Sequence, residues 1–414
     1  MRTLFFGIGL LLVNILSAQR ECKTFEYQQQ VIQNDPQLAA ARGATENFIL
    51  QHLSSSNTTT ARGGQVMIIK IPVVVHILYH YLAENVSDEL VRSQITALSR
   101  DFRKLNSDTT KIPSYFRAVA ADCAIEFELA KVAPGGKGTN GIIHKYTPIT
   151  RWQPDDKIKY SSEMGDDAWD TKSYLNIWVG TIPMVMGYSS FPGDPESKDG
   201  IVLSNRVVGI TNSGPYNRGR TAVHEVGHWL GLRHLWGDAD CGDDGVADTP
   251  KQQTFTNGCP SAIRLSCDNA PNGDMYMDYM DFTNDDCLVM FTNGQKQRIR
   301  ALFQLGGPRY SILFSNGLGI PTIEEISSPE AYPQWLHIQV FPNPATTGLT
   351  INLAYDARWI GKELAVIDIN GQVQMKRTIT SKIQKLDISR LKPGIYFIRA
   401  EKEGEKMMQK FIKL

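Results

Sequence analysis

Residues 221–237 read TAVHEVGHWLGLRHLWG, and no other stretch constrains the fold so tightly. On a helix, His224 and His228 stand one turn apart on the same face, so both imidazoles can reach one metal ion. Glu225 follows the first of them and projects toward the metal's open side. Gly231 lets the chain leave the helix sharply, and His234 can then swing back as a third nitrogen ligand. Three neutral nitrogens and a water make a catalytic zinc set, not a closed structural one. Glu225 is the expected general base, and later the acid that protonates a leaving amine. The alternative is a buried amphipathic helix whose histidines only satisfy hydrogen bonds.

With Gly231 and His234 at these offsets, the full motif resembles the metzincin clan of zinc peptidases. At 414 residues the chain is long enough for two or three domains with their own cores. Lysine plus arginine and aspartate plus glutamate each total 43, so no net field points to nucleic acid or to an anionic membrane. Residues 1–18 carry Arg2 and then LFFGIGLLLVNILSA, a run short for a membrane span, and Ala18 suits a signal-peptidase cut before Gln19. The reading is a cleaved secretion signal, with a retained anchor as the alternative. No later stretch is long and apolar enough to cross a bilayer. In an oxidising compartment Cys241, Cys259, Cys267 and Cys287 read as two disulfides with three connectivities open, or as a second zinc site.

Residues 19–61 are polar and helix-prone and end in SSSNTTTARGG, an exposed, cuttable run, so they read as a propeptide. Cys22 within it is either a latency ligand on the metal, an incidental thiol, or a disulfide partner of Cys123. The β-branched run from Val66 to His80 reads as a buried strand. Ser87 and Asp88 then cap a helix with Val91, Ile95, Leu98 and Phe102 on one face. AIEFELAKV, YLNIWVG and GIVLSN are further strands, which implies an α/β half-domain with the metal cleft at its lower edge. His76, His80 and His144 stand outside any ligand spacing and read as core or surface residues. The stretch WVGTIPMVMGYSSFPGDP suits an edge strand and rim loop, with Gly187 and Tyr188 on the substrate side, or a plain surface loop. After the zinc motif, Asp243, Asp244, Val246, Asp248 and Thr249 share a turn-rich loop that is either a calcium site or a solvated acidic turn. GQKQRIRALFQL reads as a helix.

From about residue 66 to 307 the chain resembles the pappalysin family of metzincins. The resemblance rests on the zinc motif, on DTP at Asp248 to Pro250, on GCP at Gly258 to Pro260, and on MDFTNDDC before FTNGQ. It implies the pairs Cys241 with Cys267 and Cys259 with Cys287, a structural calcium, and Met280 as the methionine beneath the zinc site in preference to Met275 or Met277. Where relatives carry a tyrosine two residues after that methionine, this chain has Phe282; either Tyr279 or another donor substitutes for its hydroxyl, or Glu225 and zinc carry the oxyanion with less help. Asp286 stands where arginine-preferring relatives carry an aspartate, which implies a primed-side pocket for arginine, cleavage before it, and self-processing at Ala61–Arg62.

The last 80 residues alternate in β fashion around NG and PG turns, as a small antiparallel sandwich would. PNP at Pro342 to Pro344, NGQ and LKPGIYFIR resemble the sorting domain of the type IX secretion system. That implies a Bacteroidota-like source with secreted or cell-surface location; a substrate-binding accessory sandwich is the alternative. The expected organisation is a signal peptide (1–18), propeptide (19–61), α/β metzincin-type peptidase domain with a mixed twisted sheet (62–314), linker (315–334) and all-β sandwich (335–414). The expected activity is zinc-dependent hydrolysis of internal peptide bonds by a monomer whose partners are protein substrates and the export machinery. A surface-binding protein on a peptidase fold is the rival reading.

Overall fold

The computed structural model describes residues 22–53, 66–183, 185–322, 338–353, 359–381, 383–402 and 405–414. The expected signal peptide, the Ala61–Arg62 bond and residues 323–334 of the expected linker lie outside the described residues. Two helices come first, α1 (Thr24–Asn34) and α2 (Pro36–His52). Asp35 caps the second by accepting from the Gln37 amide at 3.0 Å, and Pro36 sits in its first turn, where no amide is needed. These helices bury Tyr27, Val31, Leu38 and Ile49 against the rest of the chain, so this segment is less purely polar than its composition suggested.

The β-branched run forms β1 (Ile69–Tyr79), buried at ten of its eleven positions because it lies in the middle of a sheet. Helix α3 (Asp88–Phe102) begins where the Ser87 hydroxyl accepts from the Leu90 amide, and it buries Val91, Ile95, Leu98 and Phe102. Each such side chain fully removed from water contributes roughly 1.5–3 kcal/mol. The following strands are β2 (Ala120–Ala121), β3 (Ile125–Leu129), β4 (Ile142–Tyr146), β5 (Leu175–Gly180), β6 (Gly187–Ser189) and β7 (Ile201–Ser204). The sheet runs β3-β1-β5-β7-β6, with β4 pairing the far half of β1 beyond β3. Every pairing is parallel except β6 with β7, so β6 is an antiparallel edge strand. Strand β4 has no run of apolar residues and was not foreseen; its register with β1, Val75 opposite Ile142, is set by tertiary packing.

Beneath the sheet lies α4 (Arg220–Trp229), all ten of its residues buried. A long irregular segment follows, pinned by the disulfides Cys241–Cys267 and Cys259–Cys287 and by β8 (Phe291–Thr292), which pairs with β2. Helix α5 (Asn293–Ala301) is capped reciprocally by Thr292 and Gln295. Gly317 accepts from the Lys131 and Val132 amides, and the Thr322 amide donates to Gly136. The catalytic unit therefore reaches into the stretch expected to be linker. The tail has its own core of Leu349, Ile351, Val366, Ile398 and Phe411. It lies between a three-stranded sheet, β9 (Gln339–Phe341), β10 (Gly348–Asn352) and β13 (Ile383–Asp387), and a four-stranded one. The latter comprises β11 (Glu363–Asp368), β12 (Val373–Thr378), β14 (Gly394–Lys402) and β15 (Glu405–Lys413), and all pairings are antiparallel.

Candidate active site

The position of α4 is fixed at its first turn. Gly219 precedes it in the left-handed region at φ 74°, and the Asp285 carboxylate accepts from the Arg218 and Arg220 amides at 2.8 and 3.2 Å, a negative charge at the positive end of the helix. The buried Arg220 guanidinium donates to Asp108 at 2.7 and 2.8 Å, to Asp101 at 3.0 Å and to the Asp285 carbonyl at 2.6 Å. Burial alone would raise Asp108, but the two bonds from Arg220 override it and hold the carboxyl at about 2.

At the other end Gly231, at φ 79°, turns the chain out of the helix, and His234 comes back toward the helical histidines. The three Nε2 atoms form a triangle with edges of 3.1, 3.1 and 3.3 Å. Each Nδ1 faces an oxygen: Tyr279 carbonyl for His224 at 2.7 Å, Leu232 carbonyl for His228 at 2.8 Å, and the Asp238 carboxylate for His234. Those acceptors place the protons on Nδ1 and aim three Nε2 lone pairs at one point. Burial, reinforced by His234, pushes His228 well below its ordinary range, so it stays neutral. Converging lone pairs in a buried space repel unless a cation takes them. Nitrogens about 2.0–2.1 Å from a tetrahedral zinc lie roughly 3.3 Å from one another, close to the edges seen here. The residues present fit zinc. Below them, a Cβ at Gly227 would collide with Met280 Sδ, so methionine sulfur fills the hollow under the helix between the two helical histidines.

The amino-terminal segment enters this centre. Cys22 Sγ lies 3.7 Å from His228 Nε2, and Cys22 with the three histidines forms the group of metal-ligating atoms found among the described residues. Burial first, and then the Glu225 carboxylate, push the Cys22 thiol well up, so a thiolate there needs a cation beside it. Thr24 Oγ1 donates to Glu225 Oε2 at 2.9 Å and accepts from the Ser189 amide at 3.0 Å. The Lys23 amide donates to Gly187 carbonyl at 3.2 Å and Cys22 makes a parallel bridge with Gly187, so residues 22–24 lie along the edge of β6. Cys22 and Cys123 are both free thiols, and the alternative of a disulfide between them is set aside.

Over residues 159–304 the chain matches the family model described as Pregnancy-associated plasma protein-A, and over 339–414 that of the secretion system C-terminal sorting domain. It is 33% identical over 220 residues to an extracellular metalloprotease of Colletotrichum graminicola, covering 47% of this chain and 76% of that one. An extracellular metalloprotease of Aspergillus fumigatus is 29% identical over 326 residues, 71% of this chain and 95% of the relative. Among solved structures, mirolysin in complex with compound 9 is 42% identical with a TM-score of 0.60, covering 62% of this chain and all of that one. The E225A mutant of Tannerella forsythia promirolysin is 38% identical with a TM-score of 0.65, covering 73% and 100%. This chain belongs to the pappalysin family of metalloproteases. It is a zinc metalloendopeptidase with a metzincin-like catalytic domain, exported through the type IX system of Bacteroidota by its all-β tail. Among the described residues no helix is long and apolar enough to cross a membrane.

Other residues of this pappalysin fall where the motif alone could not place them. Asp286 lies at the N-terminal end of α4, where Arg218 pairs with it at 2.5 Å and both side chains are partly exposed. Gly187 faces Glu225, whereas Tyr188 alternates to the opposite face of β6, buried against Tyr27. Its phenol is therefore turned from the cleft, and only its backbone borders the edge. Phe282 stands beside His224 and His234, ring centroids 5.5 and 4.9 Å away. Tyr279 does not replace the missing hydroxyl. Its carbonyl holds His224, and its ring packs the other way, against Phe291 and beneath Arg220.

In the acidic loop, buried Asp244 accepts from Thr249 Oγ1 at 2.9 Å and the Val246 amide at 3.0 Å. Asp243 caps the Gly245 amide, and Asp248 turns to Thr292 and the Gly294 amide at the start of α5. Asp238, Arg220, Asp285 and Thr24 were not singled out from sequence. Only Asp238, acidic and four residues after His234, carried a readable signal.

Proposed function

We propose that the chain is the latent form of an endopeptidase that cuts proteins before arginine, with His224, His228 and His234 holding zinc and Glu225 as general base and acid. The triangle of Nε2 atoms, with Glu225 one residue from the first ligand, carries this reading. Zinc bound there would supply a Lewis acid that polarises the scissile carbonyl and acidifies water. Glu225 Oε2, which now accepts from Thr24, takes a proton from the attacking water and passes it to the leaving nitrogen. Gly187 lets β6 approach this carboxylate, since a Cβ there would stand 2.9 Å from Glu225 Oε1. An extended substrate pairs with the β6 edge through its main chain, where residues 22–24 now lie. Phe282 donates nothing to a developing oxyanion, so the chain offers less help at that oxygen.

Residues 19–61 act as the propeptide until the segment is cut at Ala61–Arg62, and Cys22, grouped with the three histidines, would be a fourth ligand to the metal. Asp286 receives the substrate arginine in place of Arg218. A half-exposed ion pair contributes only about 0–1 kcal/mol, so the exchange is readily made. The acidic loop, with Asp243, Asp244, Val246, Asp248 and Thr249, would hold a structural calcium, and the processed enzyme is a monomer.

The test is digestion of a mixed peptide library by the processed protein and by Glu225→Ala, with cut sites read by mass spectrometry. Cuts before arginine that vanish in the variant are expected. If the zinc-loaded wild type leaves the library as intact as the variant does, the peptidase reading fails and a binding role replaces it.

A further inference from the structure

Asp194, in the loop that follows β6, has two carboxylate oxygens with different duties. Oδ2 accepts from the Phe191 amide at 2.9 Å and closes the turn of its own loop. Oδ1 takes both bonds from Arg42 of α2, Nε at 2.8 Å and Nη2 at 2.6 Å. The Arg42 guanidinium lies over the Phe191 ring, 5.5 Å from its centroid. Gln28 of α1 donates to the same carboxylate at 3.4 Å and to Ser189 carbonyl at 2.6 Å. The side chain of Asp194 is 1% exposed. A turn cap needs one oxygen; the second is devoted to a cation that departs with the amino-terminal helices. What remains is a carboxylate held by its own turn beside an aromatic face, opened to solvent and without its counter-charge.

The location joins this pair to the reaction centre. The Phe191 ring lies 5.5 Å from the ring of His228. Between the amino-terminal helices and this surface lies a cavity of about 480 Å³, whose wall includes Arg42, Phe191, Pro192, His228 and His234. Phe191 stands at the C-terminal end of α4, and Asp286 at the N-terminal end beside Arg218. Ten helical residues separate these ends by on the order of 15 Å, with the metal histidines between.

We propose that Asp194 and Phe191 form a second subsite, which takes an arginine or lysine side chain of the substrate across the scissile bond from Asp286, and that Arg42 occupies it in the latent chain. This rests on the peptidase reading above. The substrate class is thus a segment with two basic residues, one at each end of α4. Recognition is a charge-assisted bond to Oδ1 plus stacking on Phe191.

Asp194→Asn keeps an acceptor for the Phe191 amide and removes the charge. The processed wild type, Asp194→Asn and Phe191→Leu are compared on a peptide library and on paired peptides with arginine or alanine at the second position. The expected result is a second basic preference in the wild type. The arginine-to-alanine ratio of kcat/KM should fall about tenfold in Asp194→Asn and about threefold in Phe191→Leu. The proposal is overturned if the wild type prefers no second basic residue, if the ratio survives both substitutions, or if both peptides lose rate equally, as a structural defect would cause. Should Asp194→Asn not fold, the ratio in Phe191→Leu decides. A wild type indistinguishable from Glu225→Ala instead overturns the peptidase reading itself.

Discussion

At the scale of single residues, the metal centre depends on oxygens that the motif does not contain. Asp238 orients His234 and makes its Nε2 a better donor, as the Tyr279 and Leu232 carbonyls do for His224 and His228. Asp238→Ala should therefore weaken zinc binding by roughly 10–100-fold while leaving the fold intact. Competition with a chelator, read beside circular dichroism, checks this; unchanged metal affinity would remove Asp238 from the site. Met280 and Gly227 make a matched pair, since any side chain at 227 would displace the sulfur. Gly227→Ala should lower activity through the histidine geometry, visible as altered affinity for zinc.

At the scale of elements, α4 is held at its start by charge and at its end by a left-handed glycine. Breaking the buried Arg220 network by Asp108→Asn should cost about 3 kcal/mol, because it leaves the guanidinium incompletely paired. Asp108 is held at about 2, below its unfolded value of about 3.9. Its contribution is thus full above pH 4 and is lost as pH falls toward 2. The stability gap between wild type and Asp108→Asn, measured by urea titration across that range, should close at the acid end. A gap independent of pH would mean that packing, not charge, links the two. Helix α2 is tied in similarly: Glu46 receives two bonds from buried Arg298, at 2.9 and 2.6 Å. Glu46→Ala should speed release of the segment, scored by limited proteolysis.

At the scale of the whole molecule, the catalytic unit and the tail have separate hydrophobic cores. Calorimetry should show two transitions. A chain ending at residue 322 should keep the catalytic one, since Gly317 and Thr322 still bond to the domain, whereas one ending at 314 should lower it. The disulfides close loops with separations of 26 and 28 residues, each contributing about 3.5 kcal/mol by chain entropy, so reduction should depress the catalytic transition alone.

The sequence by itself determined the chemistry of the centre, because helical period and a glycine exit are local rules: His224 and His228 share a face wherever that helix sits, and only one sharp turn separates them from His234. It also determined β1, α3 and the alternating tail, where burial of apolar residues leaves few options. Only the tertiary structure decided what lies far apart in the chain. Cys22 meets His228 across 206 residues, Arg42 meets Asp194 across 152, and Arg220 meets Asp108 across 112. No local periodicity encodes such pairs, since each depends on which surfaces come together once the sheet, the zinc helix and the amino-terminal helices are packed. The same packing turned the Tyr188 phenol, expected on the substrate side, away from the cleft, and set the Tyr279 ring beneath Arg220, so of the donors left open for the oxyanion Tyr279 is not one.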